Sequence, residues 1–258
     1  MSASELRILE NGEELAREAA DFVAWVGEQA IASTGTFRLA LSGGSTPKAL
    51  YALLAGPALA ARLDWRRVAV FFGDERCVPP GHADSNFGMA NDTLLKPLKI
   101  AGDRIFRMCG EDEPDHAARH YEEQIRNEFK TSPPAWPRFD LILLGLGDDG
   151  HTASLFPGTP ALSEQKRLVV PNQAPQGARQ RLTFTAPLIN QAQAVVFLVS
   201  GTSKAPALKA VLEDREADKK KFPAKLIQPE KGRLIWFLDH AAAAELTIEK
   251  QRVVSHEE

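Results

Sequence analysis

Apolar residues along the chain follow two alternating periodicities. Between Glu13 and Ile31 they recur at helical spacing: Leu15, Ala19, Phe22, Val23, Val26 and Ala30 stand between charged residues, which predicts an amphipathic helix. Short apolar runs predict strands at Phe37–Leu41, Val68–Phe72, Phe139–Leu144, Ala194–Ser200 and Leu234–Leu238, with shorter candidates at Arg167–Val170 and Arg181–Thr185. Between them, Pro47 marks a first helical position and Asp84-Ser85-Asn86 offers N-caps for a helix through about Leu95. Further helices are predicted over Pro114–Lys130, over about Ser203–Leu212, and in the Ala-rich stretch after Leu238.

Continuously apolar strands separated by helices imply a mostly parallel sheet covered on both faces. The expectation is therefore an α/β fold, a single three-layer Rossmann-like domain over residues 1–258 with helices flanking the sheet. No internal repeat interrupts it. The stretches TSPPAWP (131–137) and KKKFP (219–223) fit surface loops better than domain boundaries.

Composition narrows the function more than the fold. The 258 residues are 44% hydrophobic and 25% charged, as in ordinary globular proteins, and the formal net charge is -3. That balance argues against a general nucleic-acid or membrane surface, while leaving room for a local cationic pocket. Apolar runs such as Ala194–Val199 are too short to span a bilayer, and the N-terminal stretch shows no secretory pattern. Two cysteines, Cys77 and Cys109, cannot form a disulfide framework and are expected as reduced, buried thiols. The expectation is a soluble, cytoplasmic protein.

In open parallel sheets, ligands bind beyond the carboxyl ends of the strands. Four polar motifs fall there: SGGS after Leu41, GDER after Phe72, GLGDDGH after Leu144 and SGTSK after Val199. Gly145, Gly147 and Gly150 spell GxGxxG, the dinucleotide fingerprint, but Asp148 and Asp149 stand where a pyrophosphate would approach. The ribose-binding acid expected some twenty residues on is also missing, so a nicotinamide enzyme is rejected. What remains is a tight turn presenting Asp149 and His151. An imidazole is a neutral base near neutral pH, and a carboxylate two residues away can fix its tautomer. Alone, the same residues could simply cap the following segment. Ser42, Gly43, Gly44 and Ser45 supply amides, hydroxyls and a helix start, the parts of an anion cradle, although a plain turn has them too. Arg76, Arg181 and Lys204 lie in or beside the other motifs; each alone is an ordinary surface charge, and together they point to an anionic substrate.

The set resembles one family, the 6-phosphogluconolactonases. The matching stretches are LSGGSTPKALY (41–51), FFGDERCVP with HADSN (71–86), FDLILLGLGDDGHTASLFPG (139–158), RLTFTAPLIN (181–190) and VSGTSKAPAL (199–208), in the family's order. The resemblance implies hydrolysis of 6-phospho-D-glucono-1,5-lactone to 6-phosphogluconate, with no metal or organic cofactor. It gives Asp149 rather than Asp148 the acidic role beside His151. The expected scheme has His151 activating water, helped by Asp149, with glycine-loop amides or Arg76 meeting the carbonyl oxygen. Asp74 would orient Arg76 or sugar hydroxyls. Ser42–Ser45, Arg181 and Lys204 would hold the phosphate. The expected partner is this small molecule alone, with no nucleic acid or membrane, acting on a monomer.

Two rivals remain. An amino-sugar-6-phosphate deaminase/isomerase shares the layered fold and a similar histidine loop, but differs where this chain has GDER and TASLFPG. A non-catalytic phosphosugar-binding protein is disfavoured by the presence of both His151 and Asp149. His116, His120 and Glu123 share a helix face at a spacing that can bind zinc. Their surroundings are very polar and the motif is HAARH, so a solvated face is expected. His82, in the GHADSN loop, is expected to shape that loop near the site.

Overall fold

The computed structural model describes residues 4–214 and 216–247. Its strands are β1 (Glu5–Leu9), β2 (Phe37–Leu41), β3 (Val68–Phe72), β4 (Asp74–Arg76), β5 (Leu141–Gly145), β6 (Val169–Gln173), β7 (Gln180–Phe184), β8 (Ala194–Val199) and β9 (Arg233–Asp239). Its α-helices are α1 (Gly12–Thr34), α2 (Ser45–Ala55), α3 (Pro57–Ala60), α4 (Asn86–Ala90), α5 (Pro114–Phe129), α6 (Ala186–Ile189) and α7 (Ala205–Leu212).

Six strands pair in the order β1-β9-β8-β5-β2-β3, every neighbour parallel. Alternate residues of a strand face opposite sides, and here both sides are apolar. Leu141 and Leu143 of β5 join one buried cluster, with Leu15, Phe22 and Val23 of α1 and Leu50 and Tyr51 of α2. Ile142 and Leu144 join the other, with Tyr121 and Ile125 of α5 and Leu208 of α7. This is the layered α/β arrangement expected from the apolar runs. Asn11 starts α1, its side chain accepting the Glu13 and Glu14 amides at 3.0 Å. No helix among the described residues is long and apolar enough to cross a membrane.

The structure departs from the expected elements in four places. GDER is not simply a rim loop: Asp74–Arg76 continues past Gly73 as β4 and pairs antiparallel with β7. With β6 these strands form a separate three-stranded sheet, so the two short candidates lie outside the parallel sheet. The first strand, β1, was not anticipated; all five of its residues are only half-buried at the sheet edge. The Ala-rich stretch after β9 forms consecutive turns over 240–245 rather than a helix, and residues 248–258 lie outside the described residues. Cys77 and Cys109 are free but half-buried, not buried, with burial pushing the Cys77 thiol up to about 11.

Candidate active site

The carboxyl ends of β2, β3, β5 and β8 meet at two adjoining cavities of about 430 and 290 Å³. Asp74, Arg76, His151 and Lys204 line both; Asp149 and Arg181 line the larger, and Ser42, Gly43 and Gly44 the smaller. Ser45 is the exposed first residue of α2 and lines neither. The four strand-end motifs therefore do converge.

The loop after β5 closes on itself. Thr152 Oγ1 donates to Gly145 O at 2.8 Å, Gly147 N to His151 O at 2.8 Å, and Gly150 N to Gly147 O at 2.9 Å. The turn brings His151 Nδ1 within 2.6 Å of Asp149 Oδ1, and the same oxygen accepts the His151 amide at 3.1 Å. The hydrogen bond from His151 is the main reason that the Asp149 carboxyl sits below its ordinary range. An ionised carboxylate only accepts, so Nδ1 carries a proton, and in the neutral imidazole the lone pair is then on Nε2. Gly147 makes room for this pair, since a Cβ there would lie 2.0 Å from His151 Nδ1. The Phe156 ring packs 4.7 Å from the imidazole.

Asp148 points elsewhere. Its Oδ1 lies 2.6 Å from Lys204 Nζ. The spacing of residues along the loop is equally compatible with either aspartate beside His151; the closed turn selects Asp149.

Arg76 and Arg181 are direct partners in the β4–β7 register. Arg76 Nη1 donates to the Asp84 carbonyl at 2.6 Å. Arg181 is 9% exposed, and its Nη1 is buried without a hydrogen-bond partner. Burial, and then the charge of Arg76, lowers its guanidinium pKa. A like-charged pair with an orphaned donor fits a site that receives an anion.

Asp74, expected to orient Arg76 or sugar hydroxyls, lines both cavities and has its side chain on Ser154 and Asn86. Its Oδ2 accepts from Ser154 Oγ at 2.7 Å, and Asn86 Nδ2 donates to its backbone oxygen at 3.0 Å. Asn86 in turn packs against the SGGS loop, where a Cβ on Gly43 would fall 1.9 Å from Asn86 Oδ1. Ser154 and Asn86 are buried polar residues of the site that the sequence reading did not single out. Glu75 is another. Its Oε1 accepts the Asn86 and Arg76 amides at 2.7 and 2.8 Å, and its Oε2 accepts the Phe87 amide at 2.7 Å and Ser85 Oγ at 3.1 Å. Burial pushes the Glu75 carboxyl up, against those amides. All three residues sit inside motifs already quoted, but nothing in a single sequence says that these side chains turn inward.

His82 shapes its loop as expected, with Nδ1 accepting the Asp84 amide at 3.1 Å. His116, His120 and Glu123 are exposed on α5. Lys219, Lys220 and Lys221 are exposed, in a segment whose Lys220 carbonyl accepts the Gly158 amide at 3.0 Å, and Ala224 N donates to Gly150 O at 3.0 Å.

A family model described as glucosamine-6-phosphate isomerases/6-phosphogluconolactonase matches residues 10–236. A 6-phosphogluconolactonase from Synechocystis sp. is 47% identical over 219 residues, covering 84% of this chain and 88% of its own. The human 6-phosphogluconolactonase is 39% identical over 251 residues, 94% of each chain. A solved 6-phosphogluconolactonase from Trypanosoma cruzi superposes with a TM-score of 0.85 at 31% identity, covering 96% of this chain and 98% of the other.

Proposed function

The chain belongs to the glucosamine-6-phosphate isomerase/6-phosphogluconolactonase family, and from that premise we propose that it hydrolyses 6-phospho-D-glucono-1,5-lactone with His151 as general base. The observation that carries the mechanism is the 2.6 Å His151–Asp149 pair, in the same cavity as the buried, unpartnered Arg181. Nε2 takes a proton from water as its oxygen attacks the lactone carbonyl carbon. Asp149 stabilises the imidazolium that forms. Negative charge gathers on the carbonyl oxygen, where Arg76 or the amides of the glycine loops receive it. The intermediate collapses by breaking the ring C–O bond, and the imidazolium returns its proton to the departing ring oxygen. The product is the open-chain 6-phosphogluconate. Water is activated by the imidazole, so the scheme calls for no metal or organic cofactor.

Arg181, Lys204 and the Ser42–Gly44 loop bind the phosphate and hold the ring in register with His151. Ser45 contributes as the start of α2 rather than through its side chain. Asp74 acts through Ser154 and Asn86, bracing the histidine loop against the SGGS loop.

The test generates the lactone in situ with a glucose-6-phosphate dehydrogenase and follows its decay at limiting protein. Opening faster than the spontaneous rate is expected; equality with it rejects the lactonase. Release of ammonia from glucosamine 6-phosphate would favour the deaminase rival instead. Replacing His151 by Gln should lower turnover by about 10²–10⁴-fold with little change in product binding. Undiminished turnover would remove His151 as the base.

A further inference from the structure

Lys204 is already engaged by a carboxylate of its own chain. Its ammonium lies 2.6 Å from Asp148 Oδ1, and Ser203 Oγ donates to the same oxygen at 3.1 Å. Asp148 follows β5 and Lys204 follows β8, which are neighbouring strands, so the contact ties two strand-end loops together. Asp148, Lys204, Arg76 and Arg181 all line the larger cavity. The two arginines are held differently: Arg76 Nη1 meets a carbonyl, and Arg181 Nη1 meets nothing. Lys204 thus has a carboxylate of its own chain in direct contact, while the Nη1 donors of Arg76 and Arg181 do not.

We propose that Asp148 is an internal competitor for Lys204, which a phosphate monoester must displace before Lys204 can hold it. The identity of the natural phosphate ester rests on the lactonase reading; the competition itself rests on the geometry of Asp148 and Lys204. An entering phosphate carries up to two negative charges and three acceptor oxygens, so it outbids a single carboxylate for the ammonium. A monoanion gains little over the contact that it would replace. The aspartate thereby selects for phosphate monoesters by charge. It also returns to Lys204 when the product leaves, which favours release.

The competitor is charged at neutral pH, because the adjacent Lys204 ammonium keeps the Asp148 carboxyl below its ordinary range. It is also weak. The Asp148 side chain is 64% exposed, and exposed pairs of this kind shift an equilibrium by about 2- to 5-fold. Asp148 therefore tunes affinity without blocking the site.

The test measures inorganic phosphate binding by calorimetry on the full chain, in wild type, Asp148→Asn, Lys204→Gln and the double variant. Asp148→Asn should tighten phosphate by about 2- to 5-fold in the wild-type background. In the Lys204→Gln background the same substitution should change nothing, because the competed group is gone. Unchanged or weaker binding by Asp148→Asn overturns the proposal. Equal tightening in both backgrounds also overturns it, since Asp148 would then act through its general field. So does an absence of phosphate binding in all four proteins. The readout is binding, not turnover. A chain with the expected pattern that fails to open the lactone leaves the competition standing and sinks only the lactonase reading.

Discussion

Asp148 and Asp149 are adjacent and chemically identical, yet they face different partners. The difference lies in a turn closed by two backbone hydrogen bonds, which hands Asp149 to His151 and leaves Asp148 to Lys204. Replacing Asp149 by Asn would present a donor as well as an acceptor to Nδ1 and release the tautomer, so turnover should fall by at least about 10²-fold. A stability measurement gives an independent check. The folded-state pKa of Asp149 lies below its ordinary 3.8. Its contribution is therefore complete above that value and disappears as pH falls through the lower, folded one. Denaturant titrations should find wild type more stable than Asp149→Asn by a gap that is fully developed at about pH 5. Below about pH 4 the gap should shrink; a gap that widened there would contradict the pairing. His151, Asp149, Arg76 and Arg181 were legible as residues because chemistry restricts which side chains can do such work. Ser154 and Asn86 were not, because their importance depends on direction: the chain turns at Ala153 with φ +48°, and Ser154 follows with its hydroxyl on Asp74.

Strand β4 and helix α4 are too short to be stable alone, and Glu75 holds them together. Four donors converge on its buried carboxylate, three of them main-chain amides of the segment that carries Arg76 and Asn86. Glu75→Gln turns one acceptor oxygen into a donor facing donors, and leaving such groups unmatched costs about 2 kcal/mol. Urea unfolding should register that loss, accompanied by a higher KM because Arg76 and the Asn86–Gly43 contact lose their anchor. An unaltered midpoint would show that the carboxylate is dispensable. At this scale, legibility followed burial. Strands β2, β3, β5, β8 and β9 announce themselves because both of their faces are apolar. Strand β4 is written in polar residues and owes its conformation to β7, far along the chain. Strand β1 alternates Glu and Arg with Leu and Ile at an edge, which resembles a loop until its partner is known. The Ala-rich turns show the opposite error, propensity without a face to pack. Asp239 draws the Ala242 amide to its Oδ1 at 2.7 Å and shares that carboxylate with Ser200 and Gly201.

Across the whole molecule, the anion site sets function against stability. Arg181 is buried beside Arg76 with a donor unmet, an arrangement that a bound anion relieves. Inorganic phosphate at a hundred times its Kd should stabilise the fold by about 2.7 kcal/mol. For a chain of this size that raises Tm by roughly 5–10 °C. Arg181→Met should be at least as stable as wild type without ligand, since it removes a buried charge with an unmet donor beside Arg76, and should lose most of the phosphate-induced shift. A variant that kept the full shift would take Arg181 out of the anion site. The order of strands carries a different consequence, for synthesis. Strand β1 is translated before every other strand of the sheet, yet its partner β9 spans Arg233–Asp239. At ribosomal speeds of about 5–20 residues per second, β1 waits on the order of ten to fifty seconds for a template to exist. The nascent chain can therefore assemble β2, β3, β5 and β8 while β1 is still unpaired. The sheet is completed last by the strand that was made before all its neighbours.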